Sequence, residues 1–280
     1  MAGVEDVLQR ALALGEEGRW EEMARMLAEE LQQTPDDPYL LGWLGVAEQE
    51  LGNDGAAYEY FRRCVAQDPL DPNLLALAGS GLAAFDDPEA ESALRAAALS
   101  GPDIPAARLQ YGAYLARAGV FEEALEHLRA AAELAPEDPT VHGELGTALA
   151  LKGDLDEAIR EMETALELAP DDAWTRLLLG LLHTELGNLE DAAEALIQAA
   201  DELEHDAEAH ILAALAAAAV GWDDAAHDAI ARAALVAEGT DVQLLEEAES
   251  RVISGRRAAR ALLLETVGPS VLRERLSQPL

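Results

Sequence analysis

Apolar residues in the stretch 139–170, PTVHGELGTALALKGDLDEAIREMETALELAP, fall in two runs and return at three- and four-residue offsets. That spacing gives a helix a single apolar stripe. A Gly-Asp turn separates the runs and a proline closes the second, so the stretch predicts two short amphipathic helices joined by a tight turn. With variations, the same arrangement recurs along most of the chain.

The recurrence has a fixed period. Pro35, Pro69, Pro102, Pro136 and Pro170 are spaced 34, 33, 34 and 34 residues apart. Gly18, Gly52, Gly119 and Gly153 each lie 17 residues before one of these prolines, and Gly187 and Gly221 continue the series at intervals of 34. A small residue falls midway along each first helix, at Ala11, Gly45, Gly79, Gly112, Gly146, Gly180 and Ala214. Early in the second helix stand Met23, Ala57, Ala90, Ala124, Ala158, Ala192 and Ala226 (or Ala225), and one turn later Leu27, Phe61, Leu94, Leu128, Met162, Leu196 and Ile230.

Helix ends agree with this frame. Asp37, Asp71, Asp138 and Asp172 each precede a first helix, and Pro38, Pro72 and Pro139 follow as first helical residues. An aspartate there accepts from a free backbone N–H, and proline in the first turn forfeits no hydrogen bond. Asp154 and Glu157 have the spacing of a reciprocal capping pair for the helix that follows Gly153. In the third unit FDDPEAE stands where the glycine turn is due, with Pro88 opening the second helix.

Period, small positions and turns together resemble the tetratricopeptide repeat, a helix–turn–helix unit of 34 residues. The resemblance implies an all-α, right-handed superhelical solenoid of seven units, about 4–37, 38–71, 72–103, 105–138, 139–172, 173–206 and 207–239, together spanning 1–239. Residues 240–280 are expected to form C-terminal capping helices and a basic tail, because the last repeat of a solenoid leaves an apolar face to be covered. Leu244, Leu245, Ala248 and Val252 are expected to supply that cover, and Gly268-Pro269 is expected to break the chain.

Composition narrows the function classes. Half of the residues are hydrophobic but only 4% are aromatic, which suits helices packed at close range. Asp and Glu total 55 against 19 Lys and Arg, a net charge of −36, so nucleic acid and anionic membrane surfaces are disfavoured partners. Basic protein surfaces are favoured. Residues 251–280 reverse the sign, with six arginines and two glutamates. Only one basic residue is a lysine, Lys152, and the arginine and alanine bias points to a GC-rich bacterial genome. Cys64 is the single cysteine and lies at a buried second-helix position, so no internal disulfide is expected. The N-terminal residues lack a signal-peptide pattern and no segment is long enough to span a bilayer, so a cytoplasmic location is expected.

Candidate chemistry is sparse. His205, Asp206, Glu208 and His210 cluster, but histidines five apart do not share the helix face that the usual helical metal motif requires. His142 and His210 are read as core residues. Ala78-Gly79-Ser80-Gly81 lacks the lysine of a phosphate loop and lies inside a helix. No catalytic triad or dyad stands out. The expected function is therefore non-catalytic, with no cofactor and no metal.

What the resemblance implies for binding is a face lined by the first helices. Carried onto this chain, its partner-binding positions include Tyr39, Trp43, Val46, Leu109, Ala113, Trp174, Leu177, Leu181, Ile211 and Leu215. That set is mostly apolar, and it lacks the Lys and Asn by which relatives hold a chaperone's C-terminal carboxylate. The ligand class implied is a partner helix or peptide with apolar anchors and basic flanks, in an acid-rimmed groove. RRAARALLLETVGPSVLRERL, at the C-terminus, itself has that character. It can cap its own solenoid, enter its own groove, or dock on another copy. Docking in trans makes the protein a self-assembling scaffold, with Arg256, Arg257 and Arg260 as candidate self-association residues. An assembly or secretion chaperone is a third role open to such a chain.

Overall fold

In the computed structural model, which describes residues 4–277, those residues form helices and turns and no strand. Contacts divide the chain into two units, Met1–Ala135 and Pro136–Leu280.

Unit 1 contains four helix pairs: α1 (Val4–Glu16) with α2 (Trp20–Leu31), α3 (Pro38–Glu50) with α4 (Asp54–Val65), α5 (Pro72–Ala83) with α6 (Glu89–Ser100), and α7 (Pro105–Arg117) with α8 (Phe121–Leu134). Helices α2, α4 and α6 each pack on their own first helix and on the next one, α8 packs on α7, and α3 and α5 also lie against the first helices on either side. The expected caps form: Asp37 accepts from the backbone N–H of Tyr39 and Leu40 at 3.0 and 3.1 Å, and Asp71 from Asn73 at 2.9 Å. Where the third pair lacks its glycine, Asp86 takes the left-handed conformation with φ 53°, a region that Asp tolerates better than most side chains.

Close helix crossings explain the small residues. Phe61 of α4, 1% exposed, lies between Gly45 of α3 and Gly81 of α5. A Cβ at either glycine would stand 2.9 or 2.6 Å from Phe61 Cζ. One ring therefore occupies space that two neighbouring helices leave by lacking side chains. Cys64, one turn further along α4, is fully buried and donates to the Pro38 carbonyl at 3.2 Å. Burial pushes its thiol up to about 12.

Unit 2 contains three pairs, α9 (Pro139–Lys152) with α10 (Leu155–Leu168), α11 (Ala173–Leu186) with α12 (Leu189–Glu202), and α13 (Ala207–Val220) with α14 (Asp223–Val236). Asp138, Asp172 and Asp206 cap the first helices through the N–H groups of Thr140, of Trp174 and Thr175, and of Ala209. The reciprocal pair expected at Asp154 and Glu157 does not form. Asp154 makes no side-chain cap and instead receives Lys152 Nζ at 2.6 Å, its ψ of 61° being outside the extended range of the capping aspartates at Asp138 and Asp206. The register left open after Gly221 resolves to Ala226, which is fully buried.

Beyond α14 the chain continues as α15 (Asp241–Ser254), α16 (Arg256–Leu262), a π turn (Leu263–Val267) and α17 (Gly268–Ser277). Helix α15 packs on α13 and α14, and Ala248 and Val252 are buried as expected while Leu244 and Leu245 are partly buried. The expected break at Gly268-Pro269 is absent. Gly268 N–H reaches back five residues to the Leu263 carbonyl, and Pro269 enters in the first turn of the following α segment, where its missing N–H costs little.

Two outcomes follow from the packing of α4. Gly81→Ala should lower unfolding free energy by about 1–3 kcal/mol through overpacking, read by urea denaturation, and adding Phe61→Leu should recover part of that loss. Cys64 should resist alkylation in the native protein at pH 8 and react on unfolding, because the buried thiol does not ionise there; rapid native labelling would contradict the packing.

Candidate partner-binding faces

The positions singled out in the sequence separate by environment. In unit 1, Tyr39 is 38% exposed and its hydroxyl donates to Asp71 Oδ2 at 2.9 Å. Trp43 and Val46, on the same helix, are partly buried against the core. Leu109 and Ala113 of α7 are buried, and α7 packs on α5 and α6. In unit 2, Leu177, Leu181, Ile211 and Leu215 are buried to 1% exposure or less, and Trp174 is partly buried.

The reason lies in the C-terminal helices. Helix α17 packs on α11 and touches α9, and α16 packs on α13. Two contacts fix its direction. Gly268 lies so near Thr184, at the far end of α11, that a Cβ would sit 3.0 Å from Thr184 Cγ2. Seven residues later the Arg275 guanidinium lies over the Trp174 ring at 5.0 Å, near the start of α11. The tail helix therefore runs antiparallel to α11, across the stretch that carries Leu177 and Leu181. Val271, Leu272 and Leu276 of α17 are buried as well. Arg256, at the other end of the tail, lays its guanidinium against Gly221 at the C-terminus of α13, where the helix dipole favours a cation. Arg257 and Arg260 are exposed.

Arg275 carries the polar part of this contact. Its Nη2 donates to Asp206 Oδ2 at 3.0 Å and to Glu208 Oε2 at 2.8 Å, and Nε donates to the same Glu208 oxygen at 3.2 Å. The side chain is 15% exposed. Burial disfavours the charge of Arg275, but the hydrogen bond to Glu208 and the field of Asp206 outweigh it, and its pKa stands above the ordinary value. Burial raises the Glu208 carboxyl above the usual range even with Arg275 beside it. Stacking on an aromatic face while forking onto carboxylates is an arrangement that guanidinium makes and ammonium does not.

Asp206 and Glu208 were visible in the sequence only as members of a rejected metal cluster. The signal that could have found them is charge: the one basic segment of an acidic chain needs acidic partners. His210 of that cluster is buried and bonded to the Glu204 carbonyl at 3.3 Å, and His142 pairs with Glu161 at 2.8 Å.

Family models described as "Tetratricopeptide repeat" match residues 8–72 and 86–139, and residues 115–178 and 149–218. No curated protein matches the sequence. Among solved structures, a chain of the APC/C hetero-tetramer Cut9-Hcn1 is 22% identical with a TM-score of 0.70, over 85% of this chain and 48% of that one. This chain thus spans about half the length of that structure. TTC0263, a thermophilic TPR protein of Thermus thermophilus, is 28% identical with a TM-score of 0.51, over 61% and 94%. PilW, a type IV pilus biogenesis factor, is 21% identical with a TM-score of 0.62, over 74% and 96%. Among the described residues no helix is long and apolar enough to cross a membrane.

Replacing Arg275 with alanine should reduce hydrogen-exchange protection across α17 by about 1–3 kcal/mol, the range for a charged hydrogen-bonded group. Arg273→Ala is the control, since the hydrogen bond that Arg273 makes among the described residues is to the Pro269 carbonyl one turn back. Equal effects of the two substitutions would remove Arg275 as the anchor.

Proposed function

The chain belongs to the tetratricopeptide repeat family, and on that premise we propose that it is a non-catalytic adaptor that holds a partner's amphipathic helix or peptide against its first-helix faces. Repeat proteins of this family are in general protein-interaction modules, and fold alone does not name the partner. One observation carries the reading: the chain's own amphipathic α17 lies along α11, anchored by apolar residues and by Arg275 on Trp174. That is the helix-on-groove mode of recognition, performed in cis.

Unit 1 offers the corresponding first-helix residues without a tail of its own. Tyr39, Trp43 and Val46 retain exposure, and aromatic side chains at such places act as anchors. With a net charge of −36 on the chain, a partner with basic flanks gains chiefly in association rate, and the gain shrinks as salt rises. A second reading, self-assembly through the termini, is favoured by the exposure of Arg257 and Arg260 on the basic segment.

Quantitative affinity capture from the source cells tests the adaptor. Tyr39→Lys with Val46→Lys should lower recovery of at least one partner about tenfold or more, the loss expected at an anchor, in a variant that circular dichroism shows to be folded at the assay temperature. An identical partner set from the folded variant would remove this face from the proposal. Light scattering across a concentration range addresses assembly. Concentration-dependent growth that Arg257→Ala with Arg260→Ala suppresses supports the scaffold, and a wild-type protein that stays monomeric rules it out.

A further inference from the structure

We propose that the first-helix face of unit 2 is a ligand site closed in cis by α16–α17, with Gly255 as its hinge. The geometry points to one ligand class, an amphipathic helix with an arginine at the end of its apolar stripe. This deepens the adaptor reading and rests on it.

The tail is more than an end cap. Helix α15 already covers the last pair through its packing on α13 and α14. After it the chain turns at Gly255 and returns along the first helices, with α17 reaching α11 and α9. An apolar cover for those helices requires only apolar residues, yet the face presents a built receptor for one guanidinium: the Trp174 ring and the carboxylates of Asp206 and Glu208. The two carboxylates lie on and before α13 while the ring lies on α11, so separate elements converge on a single cation. A helix that carries arginine in the place of Arg275 can use the same receptor.

The tail fills this face imperfectly. The buried Nε1 of Trp174, the ring that Arg275 covers, has no hydrogen-bond partner among the described residues. Unpaired buried donors weaken the bound state. A competing helix that brings acceptors within reach satisfies what α17 leaves open, which gives it an advantage over the tail.

Gly255 supplies the movement. It lies alone between α15 and α16 with φ 97° and ψ −179°, a region essentially closed to residues with a Cβ. A Cβ there would have nothing within 4 Å, so alanine perturbs the backbone conformation and touches no neighbour. Helical values at residue 255 would join α15 to α16 and draw α17 off the face.

The test uses the full-length chain and a fluorescent synthetic peptide of residues 256–277, with tail docking followed by hydrogen exchange and binding by anisotropy. Gly255→Ala should expose α17 to exchange and tighten peptide binding about tenfold or more, since the closed fraction no longer reduces apparent affinity. Adding Trp174→Ala, or using a peptide with Arg275→Glu, should abolish the gain. Should Gly255→Ala fail to fold, Arg275→Glu in the full chain releases the tail without touching the hinge and serves in its place. If α17 stays protected in both variants, the latch is overturned while the adaptor reading stands. If α17 is released and the peptide does not bind, the ligand site is overturned and the adaptor reading loses its main support. Dimers that form by tail exchange in Gly255→Ala would make a second copy the occupant and overturn the separate partner.

Discussion

A pair of short amphipathic helices has more apolar surface than its two members can cover for each other. The second helix of a pair therefore needs further cover beyond its own first helix, and small residues at the crossings let the backbones come close enough to exclude water. Phe61 shows the constraint at its tightest, with one ring filling the places of two absent side chains, at Gly45 and Gly81. The same requirement does not end at α14. It is met by α15 against the last pair, and then by α16 and α17 against the first helices of unit 2.

Legibility in the sequence followed from how local the physics is. Aspartate caps, prolines in the first turn and left-handed glycines act within a few residues, and they repeat, so the pairing of helices could be read before any contact was known. Asp154 failed as a cap because its backbone leaves the preceding glycine turn with a ψ that the side-chain bond does not suit, a detail no spacing rule contains. The groove positions were readable as positions but not as environments. Leu177 and Leu215 are apolar whether they face a partner, a neighbouring helix or the chain's own tail, and only the long-range return of α17 decides among these.

The receptor around Arg275 was the least legible part because it is assembled from three distant segments. Asp206 doubles as the cap of α13 through Oδ1 and as an acceptor for Arg275 through Oδ2. A residue with a sufficient local explanation conceals a tertiary one. Glu208 carries the cost of that site, since burial opposes its charge and the guanidinium only partly offsets this. Breaking such a half-buried pair by removing one member leaves the other charge poorly solvated, which ties the docking of the tail to the state of the acids beneath it.

The π turn gives the tail a property that neither flanking helix has. Ala259 and Leu262 before it, Leu263 and Val267 at its two ends, and Val271, Leu272 and Leu276 after it are all buried, but the residues from Val267 onward lie one residue late for an uninterrupted α-helix begun at Ala259. The additional residue in the turn takes up that slip. Without it the later stripe would point about 100° away from the earlier one. Phase along the tail is thus set by chain length as well as by residue type. A conservative exchange within 256–277 alters one contact, whereas the gain or loss of a single residue between Leu263 and Val267 would rotate one half of the helix out of alignment with the other and uncouple the ends at Arg256 and Arg275.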